Sequence, residues 1–395
     1  MNKWIISITA GPQQEPSILE CKKIGLKIVT IDENPNAVGH QIADLNIIIK
    51  LDLLTEIISI LDDNSIVPNA VFSFVSDAGA LCAAKLRAHY NIPGIGEKDQ
   101  GILLNKALLK KNLNLIEARQ PKFFTSSEKI IIKDHIKSFN QSCILKPVVG
   151  SGSRGVNLVN SDSDVEQLIN DCFAYSDGNG IIIEEYIKGS EYSIETFCDN
   201  QKVAFLAFSK RKVNIYNSAT EIFSVILHQN LLKSIKNEIL KVYNLFNYPN
   251  GPGHFELIVN EFEQCYLIDI AFRGGGFMIY NHLVEKVSGF NIIKNTILQS
   301  LGEKIIIDDN YDLNKYIIIK FIQGKDGVVK SISGFNKINQ LEGITAFPYV
   351  NVGDFVTESA SDSGRLGVVI VEGNNYKKAN KRAKILAESV TIIIS

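Results

Sequence analysis

The chain has 395 residues, and its 41 basic and 43 acidic side chains give a formal net charge of -2. One hydrophobic core rarely organises a chain of this length, so we expect two or three domains. The hydrophobic fraction of 45% and the charged fraction of 21% are typical of a folded globular protein and exclude extensive disorder. Because the charges are balanced and form no basic block, we expect no nucleic-acid partner.

Targeting signals and cysteine spacing indicate in which cellular compartment the protein is expected. No apolar run reaches the roughly 18 residues that a membrane span needs, so no membrane partner is expected. The apolar opening Trp4–Ala10 is followed by Gly11-Pro12 without a small-residue cleavage site, and we interpret it as a strand rather than a signal peptide. The cysteines form no Cys-x-x-Cys pair, which fits neither a zinc site nor a dense disulfide framework. The sequence therefore predicts a cytoplasmic protein.

The N-terminal region alternates short apolar runs with helical patterns, which predicts a parallel sheet wrapped by helices. A helix is expected over Glu15–Gly25, and the predicted strands are Trp4–Thr9, Lys27–Ile31, Leu45–Leu51 and Ala70–Val75. Asp32 ends the second strand, where a dinucleotide-binding fold places its ribose acid. The first turn, Gly11–Gln14, lacks the Gly-x-Gly-x-x-Gly phosphate cradle, so we predict a Rossmann-like scaffold that does not bind NAD.

The rest of the chain divides into further regions. A helix is predicted over Asp99–Leu115, and a small α+β module extends from Pro121 to Ile187. The predicted elements of this module are the strands Ser142–Val148, Val156–Val159 and Gly180–Ile187 and the helix Asp162–Phe173. The next region has predicted strands at Tyr192–Cys198, Lys202–Ser209, His254–Asn260 and Cys265–Phe272. The tail, Tyr316–Ser395, is expected to form short strands and to end in a helix, Asn375–Ser389.

Two acids are predicted to face each other on a hairpin. If Asn260 lies opposite Cys265, then Glu256 lies opposite Asp269, and like charges in that position are destabilising. Mg²⁺, which prefers carboxylate and phosphate oxygens, would compensate them. The alternative is an exposed hairpin face on which Arg273 neutralises the acids. Strand alternation gives one face the side chains His254, Glu256, Asp269, Ala271 and Arg273, and we expect His254 to be structural.

A glycine-rich loop follows the strand that ends in Lys146-Pro147. The loop Gly150–Gly155 returns to a strand rather than a helix, which excludes the usual phosphate loop. Its backbone N–H groups can still form an anion nest beside Lys146, although a flexible surface turn is the alternative. A later apolar strand ends in Glu184-Glu185, which resembles a hinge on which adenine can lie.

In their order and spacing, these motifs resemble the ATP-grasp superfamily, which includes carboxylate–amine ligases such as L-amino acid ligases, carbamoyl phosphate synthase and biotin carboxylase. The motifs are Asn105-Lys106, Lys146-Pro147, Glu184–Ile187, Gly189–Glu191 and the hairpin that ends in Arg273. The resemblance implies a mixed α/β and α+β fold. The implied parts are a Rossmann-like N-terminal domain over 1–98, a helical connection over 99–120, a small ATP-grasp lid subdomain over 121–187, a large ATP-grasp subdomain over 188–305 and a C-terminal β-rich subdomain over 306–395.

The resemblance also implies roles for individual residues. The implied phosphate ligands are Lys106, Lys146 and the lid-loop residues Ser151, Ser153 and Gly155. The implied adenine contacts are Glu184, Glu185, Tyr186 and Ile187, with Glu191 on ribose and a further lysine that is either Lys210 or Lys212. Glu256 and Asp269 would hold Mg²⁺, with Mn²⁺ as an alternative. The implied catalytic residues are Lys146 and Arg273, which would contact the transferred phosphoryl group.

One strand departs from the family pattern. The family's second metal-binding strand usually contains Glu-x-Asn-x-Arg, whereas this chain has Asp269-Ile270-Ala271-Phe272-Arg273. Asp269 is one methylene shorter and Ala271 supplies no oxygen, so a second Mg²⁺ would bind more weakly or keep an extra water. The departure leaves open a nucleotide-binding regulatory or assembly subunit without full catalysis.

The implied reaction is ligation driven by ATP. A carboxylate attacks the γ-phosphorus, giving ADP and an acyl phosphate, and an amine then displaces the phosphate. The small-molecule substrates would bind near the Arg273–Gly276 turn and His282, with an amino acid or aminosugar as the candidate amine. An ATP-dependent carboxylase is a second alternative, disfavoured because no biotin-attachment motif is visible. A homodimer is compatible with the resemblance.

Overall fold

The computed structural model describes residues 3–138, 142–150, 152–213, 219–276, 278–308, 311, 315–357 and 365–395. Within these ranges the strands are β1 Trp4–Ile8, β2 Lys27–Asp32, β3 Leu45–Ile48, β4 Ala70–Phe72, β5 Phe123–Ser126, β6 Cys143–Pro147, β7 Asn157–Val159, β8 Ile181–Glu185, β9 Gly189–Asp199, β10 Lys202–Val213, β11 Ala219–Ser224, β12 Gly251–Asn260, β13 Cys265–Ala271, β14 Tyr316–Gln323, β15 Gly327–Ser333, β16 Ile344–Pro348, β17 Phe355–Val356, β18 Arg365–Gly373 and β19 Thr391–Ile394. The α-helices are α1 Glu15–Lys23, α2 Leu54–Asp63, α3 Asp77–Tyr90, α4 Glu97–Leu104, α5 Lys106–Leu115, α6 Lys129–Ser138, α7 Val165–Ala174, α8 Gln229–Leu245, α9 Val284–Ser288, α10 Ile292–Ser300, α11 Phe335–Ile338 and α12 Tyr376–Ser389.

The N-terminal region forms the predicted parallel sheet, in the order β3-β2-β1-β4. Two of its strands are markedly shorter than expected, because β3 ends at Ile48 and β4 at Phe72. Beyond β4, the Ser76 side chain accepts a hydrogen bond from the Gly79 N–H over 3.1 Å and so caps α3. Asp77 therefore begins a helix at the carboxyl edge of this sheet.

The predicted helix over Asp99–Leu115 is wrong in one respect, because it is two helices. Asn105 has an extended backbone between α4 and α5, and its side chain accepts a hydrogen bond from the Leu108 N–H over 3.0 Å. An Asn at this position competes with helix continuation by capping the next helix. Lys106 consequently lies at the start of α5, where its N–H donates to the Val148 carbonyl.

The small module contains an antiparallel sheet in the order β5-β8-β6-β7. The three predicted strands and the acidic helix are present, but β5 and α6 were not predicted. Strand β5 has only four residues, Phe123–Ser126, and all are only partly buried, so it lacks the alternation that marks a strand. The sheet pairs Lys146, near the end of β6, with Ile182 of β8, so the Lys146 side chain lies on the same face as Glu184.

A larger sheet has, within the described residues, the order β13-β12-β9-β10-β11-β14-β18-β16. Strands on both sides of the predicted boundary at 305/306 share it, and the domain boundaries remain a prediction. Helix α8, which was not predicted, packs on β13 and buries Leu231, Ile235, Ile239 and Val242 at helical spacing. The expectation that the tail ends in a helix is wrong, because β19 follows α12 and pairs with β15.

The hairpin β12–β13 confirms the predicted pairing of Glu256 with Asp269. The expected pairing of Asn260 with Cys265, from which it was deduced, is wrong. Cys265 pairs with Val259, one residue earlier than expected, and Ile268 is an extra residue in β13. This bulge restores the register before Asp269. Without it, a one-residue slip would turn the Asp269 side chain to the opposite face of the sheet.

The N-terminal sheet and the large sheet share one apolar core. Ile18 of α1 and Phe72 of β4 belong to the same buried cluster as Phe197 of β9 and Ile319 of β14. This packing places the carboxyl ends of β1 and β4 against the edge of the large sheet that carries Glu256 and Asp269. Among the described residues, no helix is long and apolar enough to cross a membrane.

Candidate active site

A cleft of about 1100 Å³ lies between the N-terminal sheet, the small module and the large sheet. The predicted site residues that line it are Lys106, Lys146, Ser153, Glu184, Glu185, Tyr186, Ile187, Glu191, Lys210, Glu256, Asp269 and Arg273. Ser151 lies outside the described residues. Residues from distant parts of the sequence thus meet in one cavity, as the resemblance implies.

The glycine-rich loop is tethered to the start of α5. Lys106 Nζ donates a hydrogen bond to the Gly150 carbonyl over 2.7 Å. Gly155 has a φ of +69°, and a Cβ at this position would lie 3.0 Å from Pro147 and 3.1 Å from Tyr175. Gly155 is not among the residues that line the cleft, and its positive φ and close neighbours explain why the turn needs glycine there.

Lys146 and Glu184 form a buried ion pair at the back of the cleft. Lys146 Nζ donates to Glu184 Oε2 over 2.9 Å, and Glu184 is 2% exposed. Burial would raise the pKa of Glu184, but the charges of Lys110 and Lys146 outweigh it and lower that pKa. The Glu184 carboxylate is therefore directed at lysines rather than at the space expected for adenine.

The adjoining hinge, Glu184–Ile187, forms backbone hydrogen bonds with other residues of the small module. The Glu185 N–H donates to the Lys122 carbonyl over 2.8 Å, and the Tyr186 N–H donates to the Ser142 carbonyl over 3.2 Å. Tyr186 is 41% exposed and lines the cleft together with Ile187. The hinge is thus fixed at Glu185 and Tyr186, while its side chains border the cavity.

The paired acids have opposite electrostatic environments. Burial and the Glu256 charge raise the pKa of Asp269 against the opposing charges of Lys106 and Lys146. Burial would also raise the pKa of Glu256, but the His254 hydrogen bond and the Arg211 charge outweigh it and lower that pKa. The two acids therefore repel each other, while the pKa of Asp269 is raised and that of Glu256 is lowered.

Arg273 does not neutralise these acids, contrary to the alternative interpretation of the hairpin. Its Nε donates to Asp77 Oδ1 over 2.7 Å, and its Nη1 donates to the Gly274 carbonyl over 2.9 Å. Asp77 was not predicted as a site residue, because nothing in the local sequence connects it with β13. Its acid lies at the first turn of α3 and lines the cleft.

His254 lies between two carboxylates, and these contacts support the structural role that was expected for this residue. Its Nδ1 lies 2.5 Å from Glu195 Oε1, and its Nε2 lies 3.4 Å from Glu256 Oε1. Burial would lower the pKa of His254, but Glu195 and Glu256 raise it to about 10. Glu195 Oε2 also accepts a hydrogen bond from the Gly275 N–H over 3.2 Å, so this acid joins β12 to the turn after Arg273.

The strand β10 contributes an arginine that was not predicted. Arg211 Nε lies 2.8 Å from Glu191 Oε1, on the face of the sheet that carries Glu256. Lys210 lines the cleft but places its ammonium 4.4 Å from the Tyr192 ring centroid, on the other face. Lys212 is directed away from the cleft, with its Nζ 2.6 Å from Glu221. Strand alternation could have suggested Arg211. It lies between Lys210 and Lys212, so its side chain is on the opposite face of the strand from both lysines.

Two other expectations concern His282 and Asp32. His282, expected near the substrate, does not line this cleft but lines a separate cavity of about 540 Å³ with Lys286 and Glu372. Asp32 accepts backbone hydrogen bonds from Ala10 over 2.7 Å and Asn34 over 2.9 Å. These bonds use both carboxylate oxygens in local structure.

The described residues limit how a metal can be held. Among them, no group of three or more His, Cys, Asp or Glu side chains is arranged to bind a metal ion. Glu256 and Asp269 place two carboxylates opposite each other at the cleft. A divalent cation bound there would have to complete its coordination with nucleotide oxygens or water, as Mg²⁺ commonly does.

Comparison with known proteins gives two family matches. A model described as an ATP-grasp domain matches residues 139–281, and a model described as L-amino acid ligase C-terminal domain 2 matches residues 320–395. The large chain of carbamoyl phosphate synthase from Clostridium perfringens is 22% identical over 326 residues, which are 77% of this chain and 30% of that protein. The alignment therefore spans less than a third of that relative.

Solved structures share the fold over the whole chain. The L-amino acid ligase from Bacillus licheniformis has a TM-score of 0.85 at 17% identity, covering 100% of this chain and 99% of that one. The phosphoribosylglycinamide synthetase from Anaerococcus prevotii has a TM-score of 0.79 at 16% identity, covering 100% of both chains. The chain thus contains an ATP-grasp domain over residues 139–281 and a C-terminal domain of the L-amino acid ligase type over residues 320–395, within a fold that it shares with these two structures.

Proposed function

We propose that this protein is an ATP-dependent carboxylate–amine ligase that releases ADP and phosphate. The observation that carries the proposal is the convergence, in one cleft, of two lysines with a glycine-rich loop and of two opposed carboxylates. Lys106 and Lys146 suit phosphate oxygens, and Glu256 and Asp269 suit a hard cation. A protein that only bound adenine would not need the carboxylate pair of Glu256 and Asp269.

The acid pair fits Mg²⁺ together with a nucleotide. The raised pKa of Asp269 shows that burial and repulsion disfavour its charge in the protein alone. A cation bound by Glu256 and Asp269 would remove that penalty, with phosphate oxygens and water as its other ligands. When bound, Mg²⁺ would supply neutralisation of the phosphate charge. Mn²⁺, which accepts the same oxygen ligands, is the alternative metal.

The chain's own residues would position the reactants. Lys146 would donate to the phosphates, while Lys106 holds the glycine loop through Gly150. Arg273, fixed by Asp77, presents its remaining donors to the cleft, where the transferred phosphoryl group or the substrate carboxylate would lie. The substrate carboxylate attacks the γ-phosphorus, ADP leaves, and the amine then displaces phosphate from the acyl phosphate. The protein contributes mainly orientation and charge neutralisation.

The nucleotide and the second substrate would occupy opposite ends of the cleft. Adenine would lie at Tyr186 and Ile187, and ribose near Glu191 and Arg211. The N-terminal domain lines the other end with the Gly11–Gln14 turn and the start of α3. An amine substrate, such as an amino acid or aminosugar, is proposed for that end because it faces Arg273 and Asp77. A reducing cytoplasm is part of the proposal and is supported by six free, buried cysteines.

The decisive experiment is a screen of amino acids and small carboxylates for release of ADP and phosphate from ATP and Mg²⁺. We expect ADP formation that depends on both a carboxylate and an amine. Release of AMP and pyrophosphate would overturn the acyl-phosphate mechanism. ATP turnover that requires bicarbonate but no amine would favour a carboxylase, and nucleotide binding without any turnover would favour a regulatory subunit.

A further inference from the structure

A third charged residue lies behind the ion pair between Lys146 and Glu184. Lys110 is 1% exposed, although it carries an ammonium group, and its Nζ lies 3.3 Å from Glu184 Oε1. Lys146 Nζ bonds the other oxygen, Oε2, over 2.9 Å. Lys110 is one turn after Lys106 on α5 and therefore faces the same side of that helix. Unlike Lys106 and Lys146, it is not among the residues that line the cleft.

The three groups have a consequence for charge. Lys146 and Glu184 alone form a pair with no net charge, and such a pair attracts phosphate weakly. With Lys110 the cluster contains two ammonium groups and one carboxylate, which leaves one net positive charge facing the nucleotide end of the cleft. A buried carboxylate without a partner is strongly unfavourable. Lys146 can therefore turn to a phosphate only if another cation stays with Glu184.

We propose that Lys110 is a positioning residue for nucleotide binding: it retains the Glu184 carboxylate so that Lys146 can exchange its bond to Glu184 for a bond to a phosphate oxygen. The inference rests on the proposed function, because it takes Lys146 as a phosphate ligand. Lys110 acts through Glu184 and does not touch the nucleotide. Its effect is on the phosphates and not on adenosine.

The test measures binding of ADP and of adenosine to the full-length protein by calorimetry. Lys110→Met should weaken ADP binding by at least about tenfold, as expected for loss of one charge-assisted hydrogen bond, and leave adenosine binding unchanged. Lys110→Arg, which keeps the charge, should retain most of the ADP affinity. Lys111→Met is the matched control, because Lys111 is the exposed neighbour on the same helix, and it should bind both ligands like the parent.

The double variant Lys110→Met/Glu184→Gln separates positioning from packing. It removes both buried charges behind Lys146 and restores one net positive charge, so ADP affinity should recover toward that of the parent. ADP affinity of Lys110→Met equal to that of Lys111→Met would overturn the proposal. So would equal losses for ADP and adenosine without recovery in the double variant. If Lys110→Met does not fold, the double variant decides alone, because loss of ADP binding in it would contradict a role through Glu184. A parent protein that binds no ADP would refute the proposed function instead.

Discussion

Asp77 and Arg273 form an ion pair across 196 residues of sequence, with Arg273 Nη2 2.6 Å from Asp77 Oδ1. The pair joins the first turn of α3 in the N-terminal region to the turn after β13. Both residues line the cleft, so the contact connects the wall proposed for the amine to the residue proposed to contact the phosphoryl group. The orientation of Arg273 therefore depends on Asp77 in the N-terminal region.

Replacing Asp77 should affect the second substrate more than ATP. Asp77→Asn removes the acid that orients Arg273, so we expect a KM for the amine or carboxylate raised by about tenfold and a nearly unchanged KM for ATP. The free energy of unfolding should fall by about 1 kcal/mol, because the pair is partly exposed. Steady-state ADP formation and thermal melting check both effects. Asp63→Asn, at the exposed end of α2, is the control, and equal KM values in both variants would contradict the coupling.

The paired acids should give opposite stability effects and the same loss of turnover. Glu256→Gln and Asp269→Asn should each lower ADP formation by about a hundredfold or more at saturating Mg²⁺, because the cation loses a ligand charge. In EDTA, Glu256→Gln should lower the melting temperature, since His254 loses a charged partner. Asp269→Asn should leave the melting temperature unchanged or raise it, because it removes repulsion.

The hairpin provides its own control for this experiment. Glu261 lies exposed in the loop between β12 and β13, and Glu261→Gln should keep both turnover and melting temperature. Near-normal turnover in both Glu256→Gln and Asp269→Asn would contradict the metal site and most of the case for catalysis.

Replacing each of the three basic residues of β10 should affect the ATP affinity of the protein differently. Arg211→Met should weaken ATP binding by about tenfold, because it removes the partner of Glu191 on the cleft face. Lys212→Met should lower the free energy of unfolding instead, because Glu221 is 1% exposed and loses a charged partner. Calorimetric titration with ATP and denaturant unfolding separate the two results. An ATP affinity reduced by Lys212→Met but not by Arg211→Met would show that Arg211 has no part in the site. Lys210→Met gives the corresponding measurement for the lysine beside Tyr192.

Stability should depend on pH through His282. Burial, with a smaller contribution from the Lys286 charge, lowers the pKa of His282 to about 4, below its ordinary value of about 6.5. The stability that comes from the neutral imidazole is therefore present above about pH 6.5 and is lost as the pH falls toward 4. His282→Gln should flatten the decrease of the melting temperature over this range, measured without nucleotide. His89→Gln, at the exposed end of α3, should melt like the parent at each pH, and parallel curves for the parent and His282→Gln would contradict the assignment.

Local patterns were sufficient for much of the fold and for the order of the site motifs. Period-two alternation predicts β12 and β13, and the short loop predicts that they form a hairpin. The Lys146 strand and its glycine loop are equally local, because glycine at left-handed backbone positions marks a tight turn. Such signals extend over a few residues, and the sequence displays them directly. Helix α8 has such a signal too, because its buried residues lie four positions apart.

Only the tertiary structure decided which charges meet. Asp77 and Arg273, Glu195 and His254, and Lys110 and Glu184 are far apart in sequence, and each contact depends on how separate elements pack. The face on which Arg211 lies depends on the pairing of β10 with β9, and the face of Asp269 depends on the bulge at Ile268. A one-residue change in either register reverses these faces, because strand side chains alternate. The sequence by itself thus determined which chemical groups are available, whereas strand register and domain packing determined which of them share the cleft.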